Sequence, residues 1–359
     1  MRLHSTSAAI GAADDLYTQQ WLQPANRKNG FASKHRLLHL RSADRCLLAY
    51  RPHSLHPPPT TIGKRELRHD SQEATGRQVQ LLFPSHPFDK SAADDAYVDE
   101  FEAARAIGIG CHLFSFEDFQ AGDFKPRPAL RAHEHVLYRG WMLSPESFSV
   151  LHDAISTRGG FPMTTTAQYR LCHYLPSWYP LCVEFTPSTV VVPRDADFAT
   201  AVAGKNWSKF FVKDYVKSLT TAQGSSASSP EEIATVVSLI ERFRGAVEGG
   251  VCIREFERLV PETEERYFVL NGKAYSREGA APPLVDTISK RIDSPFYSVD
   301  AVLAEDGRLR LIELGDGQVS DRKRWPAARF ISMLAEGQQQ VFAARRKKQD
   351  AANIGRFGL

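Results

Sequence analysis

Along this chain of 359 residues the spacing of hydrophobic positions switches repeatedly between strand-like and helix-like periods. Val79 to Phe83 is a short, mostly apolar run that ends in Pro84-Ser85-His86-Pro87, which predicts a strand and a turn. Between Asp94 and Ile107 the residues Tyr97, Phe101, Ala104 and Ile107 recur at helical spacing before Gly108. Ile109 to Phe114 reads as a second strand, and Val136 to Tyr138 as a third that leads into Arg139-Gly140-Trp141. Ser144-Pro145-Glu146 pairs an N-cap serine with a proline at the first helical position, and the helix it opens carries Phe148, Leu151 and Ile155 inward to Gly159-Gly160. Strands alternating with helices predict an α/β unit.

A second block begins near Val190. Trp207 to Val212 reads as a strand, and the small residues from Gly224 to Ser229 are expected to form a mobile loop. Ser229-Pro230-Glu231-Glu232 is a capping box for a helix whose Ile233, Val236, Val237, Ile240 and Phe243 keep the helical period. Val251 to Phe256 is a strand, and two hairpins follow, turning at Asn271-Gly272 and Asp306-Gly307. Pro326 to Ala344 is expected to be the last helix. Residues 1–77 have no sustained period, include Pro57-Pro58-Pro59 and hold six of the twelve histidines; they read as an unstructured extension, with a nucleic-acid or partner-binding arm as the alternative. The expected divisions are 1–77, an α/β unit over 78–190, a second domain over 191–339 and a basic tail over 340–359.

Charge sharpens these divisions. The overall net charge is +3, but residues 1–77 carry 12 Lys/Arg against 6 Asp/Glu, 340–359 carry 5 against 1, and 78–339 carry 28 against 35. An acidic body between basic ends makes nucleic acid a poor partner for the body. No run approaches the roughly 20 apolar residues of a membrane span, and a secretory signal is not evident, so a cytoplasmic protein is expected. The five cysteines, Cys46, Cys111, Cys172, Cys182 and Cys252, include no C-x-x-C pair and read as reduced, mostly buried thiols.

Hairpin register brings the chemistry together. In a two-residue hairpin the numbers of opposed partners have a constant sum, and partners share a sheet face. A loop at Asp306-Gly307 sets Asp300 opposite Glu313. Like charges with Cβ atoms about 5 Å apart need either a cation between them or full solvation. A loop at Asn271-Gly272 sets Arg266 opposite Arg277, which invites a bridging phosphate unless Glu264, Glu265 or Glu278 neutralises the pair. Lys213 and Lys217 precede the small-residue loop and add cations there. A lysine, an arginine pair and an acidic pair in one region together imply a nucleoside triphosphate with magnesium.

In this order the residues resemble the ATP-grasp superfamily of ATP-dependent carboxylate-amine ligases over roughly residues 205–325. Phe211-Val212-Lys213 resembles the strand with the phosphate-binding lysine, Lys217 lying close by. Ile253-Arg254-Glu255-Phe256-Glu257 resembles the hinge strand at the adenosine, so Glu255, Phe256 and Glu257 are implied as nucleotide contacts. Glu265-Arg266, Asn271-Gly272-Lys273 and Arg277 resemble the segment that holds the transferring phosphate. Asp300 and the run Glu313-Leu-Gly-Asp-Gly-Gln resemble the metal-binding end. Many family members carry Asn two residues after the glutamate; here Gly315 stands there, so the resemblance implies either Asp316 as the substitute ligand or a second metal held differently. Tyr138-Arg139-Gly140-Trp141-Met142-Leu143-Ser144, Tyr169, His173-Tyr174-Leu175-Pro176 and Trp178-Tyr179 resemble the pre-ATP-grasp region of a bacterial clade named for two arginines and a lysine. Arg139 is thereby the candidate clamp for a substrate carboxylate, and Trp178 and Tyr179 also suit packing between domains.

The resemblance implies a mixed α+β and α/β protein, an ATP-grasp fold behind an N-terminal α/β pre-ATP-grasp domain. It implies a ligase that uses ATP and Mg2+ to join a small-molecule carboxylate to an amine, of an amino acid or peptide, through an acyl phosphate. The alternatives are an ATP-binding regulatory module without turnover and a phosphotransferase on the same fold.

Overall fold

The computed structural model of the chain describes residues 79–218 and 224–337. The expected extension over 1–77, the tail over 340–359 and the end of the last expected helix lie outside them. Thirteen strands are described, in three sheets.

The first sheet holds β1 (Gln80–His86), β2 (Asp89–Ala93), β3 (Cys111–Phe114), β4 (His135–Tyr138) and β5 (Phe161–Pro162). β1 lies parallel to β3 and β4, β4 parallel to β5, and β2 turns back on the end of β1. The helices between them begin where local chemistry dictates. Ser144 accepts from the Ser147 amide and opens Pro145–Thr157, while Thr165 and Gln168 cap Thr166–His173 reciprocally. The first helix starts at Val98 and not at Asp94, whose carboxylate and carbonyl instead close a turn on Ala96 and Tyr97.

The second sheet runs β6 (Thr189–Val192), β9 (Val251–Glu255), β7 (Phe210–Asp214), β8 (Ser226–Ala227), all antiparallel. β8 corrects the loop expected over Gly224 to Ser229: Ser226 and Ala227 pair with Phe211 and Phe210, because a small residue is what fits under the sheet there and Ala227 is buried. Helix Pro230–Arg244 covers one face of this sheet with Ile233, Val236, Val237 and Ile240, while Phe243, expected inward, is exposed. Ser229 caps it as expected, but the Glu232 carboxylate accepts from the Ser228 amide, one residue short of a full capping box.

The third sheet runs β11 (Lys273–Tyr275), β10 (Leu259–Leu270), β12 (Phe296–Ala304), β13 (Leu309–Asp316). Its two faces follow the period of two. Phe268, Leu270 and Phe296 pack on Trp325, Phe330 and Met333 near or within the helix over 327–337, and with Leu81, Phe83 and Leu137 of the first sheet. Tyr267, Val269, Tyr297 and Val299 pack the other way on Cys172, Leu175, Trp178, Val285 and Ile288. Trp178 thus has the packing role weighed for it, and the Tyr179 hydroxyl accepts from the Thr189 amide at 3.0 Å.

The second sheet docks on the free edge of β13. The Leu311 amide donates to Phe185 O at 2.8 Å, Thr186 Oγ1 to Leu311 O at 2.7 Å, and the buried Arg254 guanidinium to Ile312 O at 3.0 Å. This brings β7 beside β13, with the interval between two sheets as the candidate site.

Candidate active site

The hairpin β12–β13 sets Asp300 opposite Glu313, as the register predicts, by a different route. The loop holds three residues, Glu305-Asp306-Gly307: Leu303 pairs with Leu309, the Ala304 amide donates to Arg308 O, and Gly307 takes φ +82°, the left-handed position of a three-residue turn. This register is one lower than that of a two-residue loop. A bulge between Asp300 and Ala301, with Ile312 as the extra residue, restores it. From the bulge onward the carboxylates share one face.

That face carries a row of alternating charge between the two sheets. Lys213 Nζ, on β7, donates to Glu313 Oε1 at 2.8 Å. Across the ladder from Glu313, Asp300 is held by both arms of Arg266 at 2.7 and 2.6 Å, and by Lys323 Nζ at 3.2 Å. Burial would raise the Asp300 carboxyl, but Arg266 and Lys323 outweigh it and hold it down to about 2. Lys323 also donates to Glu264, and the Arg266 guanidinium to Asp321 Oδ1 at 3.2 Å. His173, buried under the row near Glu313, Lys217 and Lys213, is pushed down to about 4 by desolvation and is neutral at pH 7.

The arginine pair is corrected. The Asn271-Gly272 hairpin has the expected register, Phe268 opposite Tyr275 and Leu270 opposite Lys273, with Asn271 and Gly272 at φ +52° and +77°. The ladder stops at Tyr275, however, so Arg266 and Arg277 do not face each other across it. Arg266 belongs to Asp300, on the other side of β10. Arg277 lies 3.4 Å from Glu265 and 3.0 Å from Glu278, the neutralising partners weighed for it.

Arg139 is corrected as well. Its guanidinium is fully buried, bidentate on Glu100 at 2.8 and 2.7 Å, and donates to Ser320 O at 2.9 Å and Gly317 O at 2.5 Å. It lies over the Phe330 ring at 4.7 Å. With its donors on Glu100 and the chain after β13, it locks the first sheet to the third and presents no exposed surface to a substrate.

Asp316 is the third correction. It pairs with Tyr297, so it points to the opposite face from Asp300 and Glu313 and cannot join them at one ion. Its Oδ1 accepts from Gln318 N at 3.0 Å and Nε2 at 3.1 Å, and Gln318 in turn accepts from the Tyr138 and Gly140 amides at the end of β4. Its Oδ2 has no hydrogen-bond partner, and burial lifts the carboxyl to about 7. Gly315 does share the face of Glu313. A Cβ there would lie 2.6 Å from Ser320 Oγ and 2.9 Å from Ser298 Oγ, hydroxyls that bond each other at 2.8 Å, so the space an asparagine would need is filled.

The remaining expected nucleotide contacts lie at the end of β9. Glu255 N donates to Ser188 O, Phe256 N to Lys209 O, and Lys209 Nζ sits 4.2 Å from the Phe256 ring. Glu257 is engaged by both arms of Arg310 at 2.8 and 2.7 Å. Lys217 follows the Asp214 turn, its amide 2.6 Å from Asp214 Oδ1; burial and then Arg244 lower its ammonium. Sequence reasoning missed Lys323, whose run Asp321-Arg322-Lys323-Arg324 reads as ordinary surface charge. Its one distinguishing mark is a φ of +44°, which the sequence does not display.

The donor set tests whether a cation fits. Two opposed carboxylates on one face suit a hard cation that takes its other oxygens from phosphate and water. Among the described residues no cluster of three or more His, Cys, Asp or Glu forms, so a cation here would depend on this pair and on oxygens from outside the chain.

Two β-sheets that grip a charged interval between them, with a parallel α/β unit docked behind, define an ATP-grasp fold. The solved structure of D-cycloserine synthetase DcsG shares it at TM-score 0.50 and 16% identity, over 72% of this chain and 99% of that one. An ATP-grasp RimK domain protein from Sphaerobacter thermophilus DSM 20745 aligns at TM-score 0.48 and 17% identity, over 72% of this chain and 98% of that one. D-alanyl-alanine synthetase A from Vibrio cholerae aligns at 0.47 and 10%, over 74% and 98%. No curated protein matches. Residues 203–334 match the family described as ATP-grasp domain, R2K clade family 3.

Proposed function

We propose that this protein is an ATP-dependent ligase that joins a small-molecule or peptide carboxylate to an amine by way of an acyl phosphate. The observation that carries the reading is the row Lys213, Glu313, Asp300, Arg266 and Lys323 across the two sheets of an ATP-grasp domain. Support for an amino-acid-like substrate comes from the fold shared with a D-cycloserine synthetase. The division into a pre-ATP-grasp domain ending near residue 190 and an ATP-grasp domain after it belongs to the same proposal.

Adenine lies against the end of β9 at Glu255 and Phe256, and the phosphates run along the row from Lys213. Asp300 and Glu313 would hold magnesium, which supplies positive charge to the phosphate oxygens when bound. Lys213 then exchanges Glu313 for phosphate, and Arg266 turns part of its fork to the transferring group. A substrate carboxylate oxygen attacks the terminal phosphorus, the bond to the bridging oxygen breaks, and ADP leaves. The amine nitrogen attacks the acyl carbon, phosphate departs with the C–O electron pair, and the amine gives up a proton. The first step needs no general base, so positioning and charge neutralisation suffice there.

The test is phosphate release with ATP, magnesium and paired amino acids or dipeptides, with the product mass read alongside. A product heavier than the acid by the amine less water supports ligation. A phosphorylated product favours the phosphotransferase reading, and no ATP consumption across the pools favours a module without turnover.

A further inference from the structure

Lys323 is the one residue of the row that lies in neither sheet. It sits in the connection between β13 and the helix over 327–337, at φ +44°, a conformation that costs a lysine free energy and that glycine adopts readily. The turn is tied down on every side. Lys323 N donates to Asp321 Oδ1 at 2.7 Å, Asp321 accepts from Arg266, and Trp325 Nε1 donates to Arg266 O at 2.8 Å. An element this firmly fixed delivers a lysine side chain to two carboxylates, Glu264 and Asp300, the second of which already has a bidentate arginine. For holding Asp300 alone, the second cation is redundant.

Its position along the row gives it a use. β9, the adenine side in the proposed function, belongs to the same sheet as Lys213; Lys213 meets Glu313, Glu313 faces Asp300, and Lys323 lies past Asp300. Lys213 and Lys323 thus stand at opposite ends of the acidic pair, the order in which a polyphosphate laid along the row from Lys213 would meet them. Asp316 points away and the Gly315 position is filled by Ser298 and Ser320, while the carboxylates beside Asp300, Glu264 and Asp321, are already taken by Lys323 and Arg266. Additional positive charge there comes from side chains.

We propose that Lys323 is a ligand of the terminal phosphoryl group, turning from Asp300 to that group when nucleotide binds, so that it distinguishes ATP from ADP. The inference rests on the ATP reading. No bond to Lys323 is made or broken; its ammonium neutralises charge on the group in transfer.

The experiment measures binding of Mg-AMP-PNP and Mg-ADP by calorimetry to the full chain and to K323Q, K323G and K323R. Glycine relieves the positive φ, so K323G keeps whatever the backbone turn contributes and removes only the side chain. The expected result is roughly ten- to hundred-fold weaker AMP-PNP binding in K323Q and K323G, the strength of a charge-assisted hydrogen bond, with ADP within about two-fold and substantial recovery in K323R. Parallel loss of both nucleotides, or no change in either, overturns the assignment while leaving the ATP reading intact. If the parent protein binds neither nucleotide, the ATP reading falls and takes this inference with it.

Discussion

Arg139 decides between two readings that differ in what a single substitution does. As a substrate clamp its loss would weaken substrate binding and leave stability untouched; as the structure has it, the reverse holds. Arg139→Met keeps much of the apolar stem over Phe330 and removes the guanidinium. It strands the Gly317 and Ser320 carbonyls and leaves the Glu100 carboxylate with Arg322 at 3.0 Å as its remaining close cation. Breaking a buried ion pair from one side costs about 3–5 kcal/mol. Retention of Arg322 puts the expectation near the lower figure, and for a structured body of this size that is a drop of roughly 6–12 °C in Tm. The double variant Arg139→Met/Glu100→Gln removes the stranded charge and is expected to recover part of the loss, a coupling that a double-mutant cycle reads directly. Thermal unfolding followed by circular dichroism supplies all four corners. An unchanged Tm in the single variant, together with a raised KM for the carboxylate, would refute the buried-lock account and restore Arg139 to the substrate.

Three further outcomes are expected. Glu313→Ala should abolish substrate-dependent ADP release and magnesium-dependent nucleotide binding while its circular dichroism stays that of the parent; unchanged turnover would sink the metal assignment. Asp316, at about 7 when folded and about 3.8 when unfolded, makes stability fall as pH rises from about 4 to 7, because the unfolded chain releases a proton there that the folded chain retains. Urea unfolding at several pH values should show that slope in the parent and its absence in Asp316→Asn. Gly315→Asn, which supplies the residue many ATP-grasp relatives carry, should destabilise the chain by about 1–3 kcal/mol of overpacking against Ser298 and Ser320. A variant as stable as the parent in the same urea titration would show that the space is not filled.

The elements were largely legible because their signals are local. Ser144, Thr165 and Ser229 cap helices that begin where they stand, and Asn271-Gly272 turns a hairpin because both residues tolerate positive φ. Partners were less legible, because a charged side chain chooses among strands distant in sequence. Arg266 and Arg277 are related by hairpin register, yet β10 has a second neighbour, and the carboxylate on β12 outcompetes a like charge beyond the end of β11. Arg139 follows a strand in a motif that suggested a clamp for a substrate carboxylate; Glu100, 39 residues away, and two carbonyls beyond β13 determine that it is buried. Neither partner can be chosen from the sequence around the arginine.

Asp300 and Glu313 show how a correct pairing can rest on an incorrect turn. The two-residue loop and the real three-residue loop differ by one position, and on a two-period sheet that slip would send one of the carboxylates to the opposite face. The bulge at Ile312 cancels it, so the acidic pair owes its geometry to two compensating irregularities. Their compensation has a chemical counterpart. Directly opposed carboxylates on a buried face are tolerated here because Lys213 arrives from one sheet and Arg266 with Lys323 from the other side of the row. The same cations that make the pair affordable without a metal are the ones a nucleotide would take over. On the proposed function, binding of magnesium and of phosphate would be coupled: each phosphate oxygen that drew off Lys213 or Lys323 would free a carboxylate oxygen for the ion. Calorimetry should accordingly find magnesium and AMP-PNP each binding more tightly in the presence of the other. Independent binding of the two would contradict an exchange of partners along the row.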